Sequence, residues 1–155
     1  MTKIASIMSE LGKKQEADKV IKESIKILEE LEYKMEKAMA MAIISHAMFR
    51  NGNKRYTSML NEAIEMVKEL ESFEKEYASS LIARILIEVG KFKEAMNFIN
   101  EMEEEEIRVA VYISIANDLI EEGRKEDAMK IAEFMNDRLL IGRVRGDRYL
   151  KHARV

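Results

Sequence analysis

The stretch YASSLIARILIEVGKFKEAMNFINEM, residues 77–102, reads as two amphipathic helices joined at one glycine. Tyr77, Leu81, Ile82, Ile85, Leu86 and Val89 recur at three- and four-residue spacing, the period of a single helix face. Gly90 stops that stripe, since a residue without Cβ adopts the left-handed conformation that ends a helix. Phe92, Ala95, Met96, Ile99 and Met102 then begin a second stripe.

The same arrangement occurs four times. Ile4–Ala5 leads to Gly12, Ile44–Ser45 to Gly52, Ile82–Ala83 to Gly90 and Ile115–Ala116 to Gly123, the small residue always seven positions before its glycine. An Ala follows by five positions in three units (Ala17, Ala95, Ala128) and by eleven in the second, at Ala63. A recurring period of this kind marks stacked helical hairpins. The expected fold is all-α: a right-handed α-solenoid of about four antiparallel helix-turn-helix hairpins plus a short C-terminal helix, in one domain over residues 1–155. The units run roughly 1–32, 33–71, 72–103 and 104–136, followed by a tail at 137–155. Seven extra residues between Ala17 and Ser45 predict about two more turns of helix. Six extra residues around Asn51–Ser58 predict an inserted polar loop.

Composition agrees. There is no Pro, and four of the six Gly sit at these turns, so little interrupts a helix. Hydrophobic residues make up 47% and charged ones 35%, which supplies a core and argues against gross disorder. The absence of Cys excludes disulfides and thiolate metal sites. No segment approaches 18 consecutive apolar residues, and no basic-then-apolar leader opens the chain. A soluble, cytoplasmic protein without membrane contact is therefore expected. The net charge of −3 is uneven: residues 138–155 hold six cations against Asp147 alone, a net of +5, leaving −8 on the remainder.

The repeat resembles the tetratricopeptide repeat, which alternates two helices over about 34 residues. Ala5, Ser45, Ala83 and Ala116 match its small position in the first helix. Gly12, Gly52, Gly90 and Gly123 match the turn, Phe92 the aromatic after it, and Ala17, Ala63, Ala95 and Ala128 the crossing Ala of the second helix. The family's Trp and unit-closing Pro are missing, and the spacing between glycines drifts from 33 to 40. Small residues at such crossings let helix axes approach to about 8–9 Å, where a larger side chain overpacks.

The resemblance implies that the first helix of every unit lines a concave face. The residue after the small one then points into the groove, giving a ladder of Ser6, His46, Arg84 and Asn117. One turn on lie Ser9, Phe49, Ile87 and Ile120; one turn back lie Ala42, Ser80 and Ile113; Met39 and Tyr77 come earlier, and Arg50 follows Phe49. Polar rungs flanked by Met and aromatic side chains suit an amphipathic helix or extended peptide. The competing reading is a merely solvated inner face, with Ile113 and Ile120 in the core. Thr2 and Ser6 occupy places where the family's carboxylate-clamping forms need Lys or Asn, so that specialisation is not carried over.

Other features point to no chemistry. His46 has no second His, Cys or carboxylate at ligand spacing on its helix, and Arg50 lies one turn away, so no metal is expected. The acidic run Glu101 and Glu103 to Glu106 lacks calcium-loop spacing and reads as a helix start favoured by the dipole. No phosphate loop, zinc-helix motif or nucleophile elbow occurs, so the expectation is a non-enzyme without cofactor. The tail cations Arg143, Arg145, Arg148, Lys151 and Arg154 could neutralise phosphates or dock on an acidic surface. An acidic body and a single tail aromatic, Tyr149, disfavour nucleic acid. The first helix is cut short at Met1, leaving a stacking face uncovered, a route to self-association. The functional expectation is a protein–protein interaction module or scaffold holding a partner's peptide or helix in the groove. The rival is a nucleic-acid-associated protein acting through the basic tail.

Overall fold

Each leading helix ends in the same way, and the glycine explains it. In the computed structural model, which describes residues 2–144 and the side chains of residues 3–136, Gly12, Gly52, Gly90 and Gly123 all have φ between +75° and +82°. At Gly90 the glycine N–H donates to the Ile87 carbonyl at 3.1 Å and the Lys91 N–H to the Leu86 carbonyl at 2.8 Å. This paired closure satisfies carbonyls that the helix end leaves orphaned. The same two bonds recur at the other three turns.

Eight helices, and no strand, occur among the described residues: α1 (Thr2–Glu10), α2 (Lys14–Glu29), α3 (Lys34–Arg50), α4 (Tyr56–Lys68), α5 (Ser72–Glu88), α6 (Phe92–Asn100), α7 (Glu105–Glu121) and α8 (Lys125–Val144). None of them is long and apolar enough to cross a membrane. The leading helices α3, α5 and α7 are each 17 residues long, whereas α1 has 9. Helix starts carry no side-chain cap bond at any of the described N-caps. Acidic residues in most first turns, such as Glu74 in α5 and Glu105 and Glu106 in α7, complement the exposed N–H groups instead. The acidic run thus contributes the N-cap and first turn of α7.

The chain divides into two compact units, Met1–Glu101 and Met102–Val155. In the first unit α1 packs on α2 and α3, α2 on α3, α3 on α4 and α5, α4 on α5, and α5 on α6. The leading helices α1, α3 and α5 are therefore neighbours in chain order. Ala5, Ala17, Ser45, Ala63, Ala83 and Ala95 have no exposed surface at all, as close crossings require. Ser45 keeps its hydroxyl satisfied by donating to the Ala42 carbonyl at 2.6 Å. Around them Leu60, Ile82, Leu86, Met96 and Ile99 are buried, each contributing about 1.5–3 kcal/mol by burial. In the second unit α7 packs on α8, burying Val111, Ile115, Leu119, Ala128 and Ile131. The Tyr112 and Phe134 rings lie 6.0 Å apart, while Ala116 stays partly exposed.

Three expectations are refined. The seven extra residues of the first hairpin all lie in α2, which has 16 residues against 9 in α6. The six extra residues of the second hairpin are not one loop. Two lengthen the α3–α4 connection, and the other four add a turn at the start of α4, which begins at Tyr56. The connection is tied down where Asn51 donates from Nδ2 to Asp18 Oδ1 at 2.7 Å, and where the Arg55 N–H meets Asn53 Oδ1 at 3.0 Å. The start of the expected short C-terminal helix is also refined, and the rest of that tail, 145–155, lies outside the described residues. α8 continues unbroken past Asn136 to Val144, because Gly142 lacks the positive φ that marks the four turns.

A Cβ added at Gly90 would meet no atom within 4 Å, so its cost is conformational alone. Gly90→Ala should lower stability by about 1 kcal/mol, read from the urea midpoint. An unchanged midpoint would mean that the turn does not need the left-handed residue.

Candidate interaction surface

Met39, Ala42, His46, Phe49 and Arg50 follow three- and four-residue spacing on α3, and Tyr77, Ser80, Arg84 and Ile87 do so on α5, so each set shares a helix face. α3 and α5 pack together. The two sets differ in what they offer. On α3, Met39 and His46 are half-buried, and Phe49 and Arg50 are exposed; Ala42 is wholly buried and belongs to the core. On α5, Tyr77 is 59% exposed and Ser80 half-buried, whereas Ile87 is packed away. Arg84, expected to point into a groove, is only 9% exposed. Its guanidinium turns along its own helix to Glu88, with Nη2 2.9 Å from Oε1. Ala42, Ile87 and Arg84 are therefore packing residues. In the second unit Ile113 and Asn117 are exposed. Arg143 lies in the α8 backbone with its side chain outside the described residues, and Arg145, Arg148, Lys151 and Arg154 lie outside them altogether.

The polar centre of the first unit's face is His46 with Arg84 and Glu88. Burial is the largest influence on the imidazole and holds its pKa below the ordinary 6.5. Glu88 pulls it up and Arg84 pushes it down, so the α5 ion pair brackets the α3 histidine with opposed fields. Ser80 donates to the Glu76 carbonyl of its own helix at 3.0 Å. Towards the glycine turns, Arg50 pairs with Glu10 of α1, and the Ser9 hydroxyl donates to the Arg50 carbonyl at 2.9 Å. Phe49 packs edge-on against Tyr56, with centroids 5.1 Å apart. The Lys91 ammonium sits 5.9 Å above the Tyr56 ring, within cation–π range.

Sequence reasoning overlooked four side chains here. Glu88 stands four residues after Arg84, the spacing of a helical ion pair, which could have revealed it. Glu10 and Arg50 occupy the same place, two residues before their glycines, an equivalence equally open to inspection. Tyr33, just ahead of α3, and Phe73, in the first turn of α5, are both exposed aromatics. An open groove of about 730 Å³ also lies between α2, α3 and α4, with Ile25, Leu28, Met41, Met59 and Met66 along it. Among the described residues no group of three or more His, Asp or Glu side chains is placed to hold a metal ion. No family model, curated protein or solved structure matches the chain.

Because His46 has a lower pKa folded than unfolded, the unfolded chain binds more protons as pH falls from 6.5. The stability this histidine contributes is present above that pH and is lost on acidification through the folded pKa. His46→Gln should therefore lose less stability than the parent between about pH 7 and pH 5, measured by urea titration at each pH. An identical pH dependence in both proteins would contradict the lowered pKa.

Proposed function

We propose that the chain is a protein–protein interaction module of the tetratricopeptide-like kind, an α-solenoid whose leading helices form a common inner wall. In the first unit that wall is α1, α3 and α5, and it receives a helix or extended segment of a partner. The observation that carries the reading is the chain-order contact of α1 with α3 and of α3 with α5, together with the matched glycine closures. Successive hairpins set in the same way place equivalent residues in rows. A wall of this kind supplies side chains at a helical spacing, which suits a partner with its own regular spacing.

The contact residues under this reading are those with free surface. Phe49 and Tyr77 provide aromatic area, Arg50 a cation and Met39 an adaptable apolar surface. His46 supplies a neutral polar group between them. Arg84 and Glu88 shape the wall from beneath.

A photo-crosslinking residue placed at Tyr77 should capture the physiological partner, and one at Lys19 on the exposed side of α2 should not. Tyr77→Ala and Phe49→Ala should each weaken binding of that captured partner about tenfold or more with unchanged far-UV circular dichroism. Equal capture from both positions, or unaltered affinity in both variants, removes the inner wall from consideration.

A further inference from the structure

α1 and the residue that caps it carry an apolar stripe open to solvent: Ile4 is 51% exposed, Ile7 52% and Leu11 69%. Counting back from each glycine, the equivalent residues are Ile44, Ala47 and Asn51 at α3, and Ile82, Ile85 and Val89 at α5. All six are buried. α3 packs on the hairpin before it, α1 and α2, and α5 packs on α3 and α4. Among the described residues the α1 stripe is thus a stacking face with nothing stacked on it. α7 shows that exposure there does not demand apolar residues. At the places of Ile7 and Leu11 it carries Asp118 and Glu122, both exposed and charged. Where one leading helix meets water at these positions the chain uses carboxylates; on α1 it keeps isoleucine and leucine.

The flanking charges select the occupant. Ile4, Ile7 and Leu11 follow the three- and four-residue alternation of a two-helix seam, with Lys3 and Glu10 seven residues apart along one edge of it. Both side chains are exposed, and Glu10, which pairs with Arg50 of α3, keeps open surface for a second cation. A second α1 laid parallel would turn this edge towards the partner's opposite edge, at Met8, and bring neither charge to an opposite one. Laid antiparallel about a two-fold axis near Ile7, it sets Lys3 of each copy against Glu10 of the other, and Ile4 towards Leu11. The stripe and its edge are self-complementary in that one orientation, as an isologous contact requires.

We infer that α1 is a homodimerisation seam, in which a second copy of this chain packs its own α1 antiparallel across Ile4, Ile7 and Leu11, locked in direction by two Lys3–Glu10 pairs. The seam extends about 10 Å along the helix and falls short of the ~1,200 Å² of a standard stable interface, so the dimer is weak and concentration-dependent. Its apolar residues Ile4, Ile7 and Leu11 are none of the inner wall's contact residues, although Glu10 also pairs with Arg50 of that wall, so failure of the seam leaves the proposed function standing.

Sedimentation equilibrium of the full chain from about 10 μM to 500 μM tests it. The weight-average mass should climb from the monomer value towards twice that value. Ile7→Glu should hold it at the monomer value throughout, with an unchanged thermal melt because Ile7 is largely outside the core. Lys3→Glu and Glu10→Lys should each weaken association about tenfold, since every like-charge contact is felt twice across the axis. The double variant Lys3→Glu/Glu10→Lys should restore it to within about threefold of the parent. A parent mass that stays monomeric over the whole range overturns the seam. A double variant no better than its singles overturns the antiparallel orientation, and with it the proposal.

Discussion

Everything in the first unit depends on how closely the two helices of a hairpin can cross. The residues at the crossings are Ala or Ser, and in α1 to α6 every one of them is sealed from solvent. A methyl or hydroxymethyl group is about the largest side chain that fits where helix backbones approach to within about 8 Å, and an added methylene there costs about 1–3 kcal/mol. The close crossing also sets the direction of everything else. Once Ala83 of α5 and Ala95 of α6 are held at the crossing, Ile82, Leu86 and Ile99 face the interior, and Tyr77 is left facing out. The glycine closure then fixes the length of the leading helix, so α3 and α5 stop at the same register.

These two constraints are local, which is why the helices and their glycine turns were largely legible in the chain. Glycine and alanine at fixed separation report turn and crossing directly, and the surplus residues of the first hairpin emerge as helix because α2 contains nothing to stop it. The α3–α4 surplus was harder. Asn51, Gly52 and Asn53 read as loop, and the sequence carries no mark of where helix resumes. Arg55 and Tyr56 join α4 through the Asx contact at Asn53 and the ring packing of Tyr56 on Phe49, which are tertiary facts. The continuation of α8 past Asn136 was equally hidden: Gly142 breaks a helix only where a left-handed turn is wanted.

The surface was less legible, for a reason visible in Arg84. Helical periodicity assigns a side chain to a face but not to a depth. Ala42 and His46 stand four residues apart on α3, yet one is sealed and the other half open, because depth depends on the neighbouring helix. A long arginine adds its own freedom. Arg84 lies along α5 to reach Glu88, covering its own helix where it was expected to project. Charged residues near a crossing favour such a path, since a buried guanidinium without a carboxylate costs several kcal/mol.

The Arg84–Glu88 pair in turn acts on His46, second to burial. Both partners belong to α5, and the field of the pair reaches across to α3. The two charges act on the imidazole in opposite senses, and burial decides the balance in favour of the neutral ring. A neutral imidazole presents one donor and one acceptor, and the Arg84 guanidinium is engaged by the Glu88 carboxylate. Under the function proposed above, such a ring is matched to polar side chains, or to the free amide and carbonyl groups of an extended backbone, each of which can meet it with its complementary half.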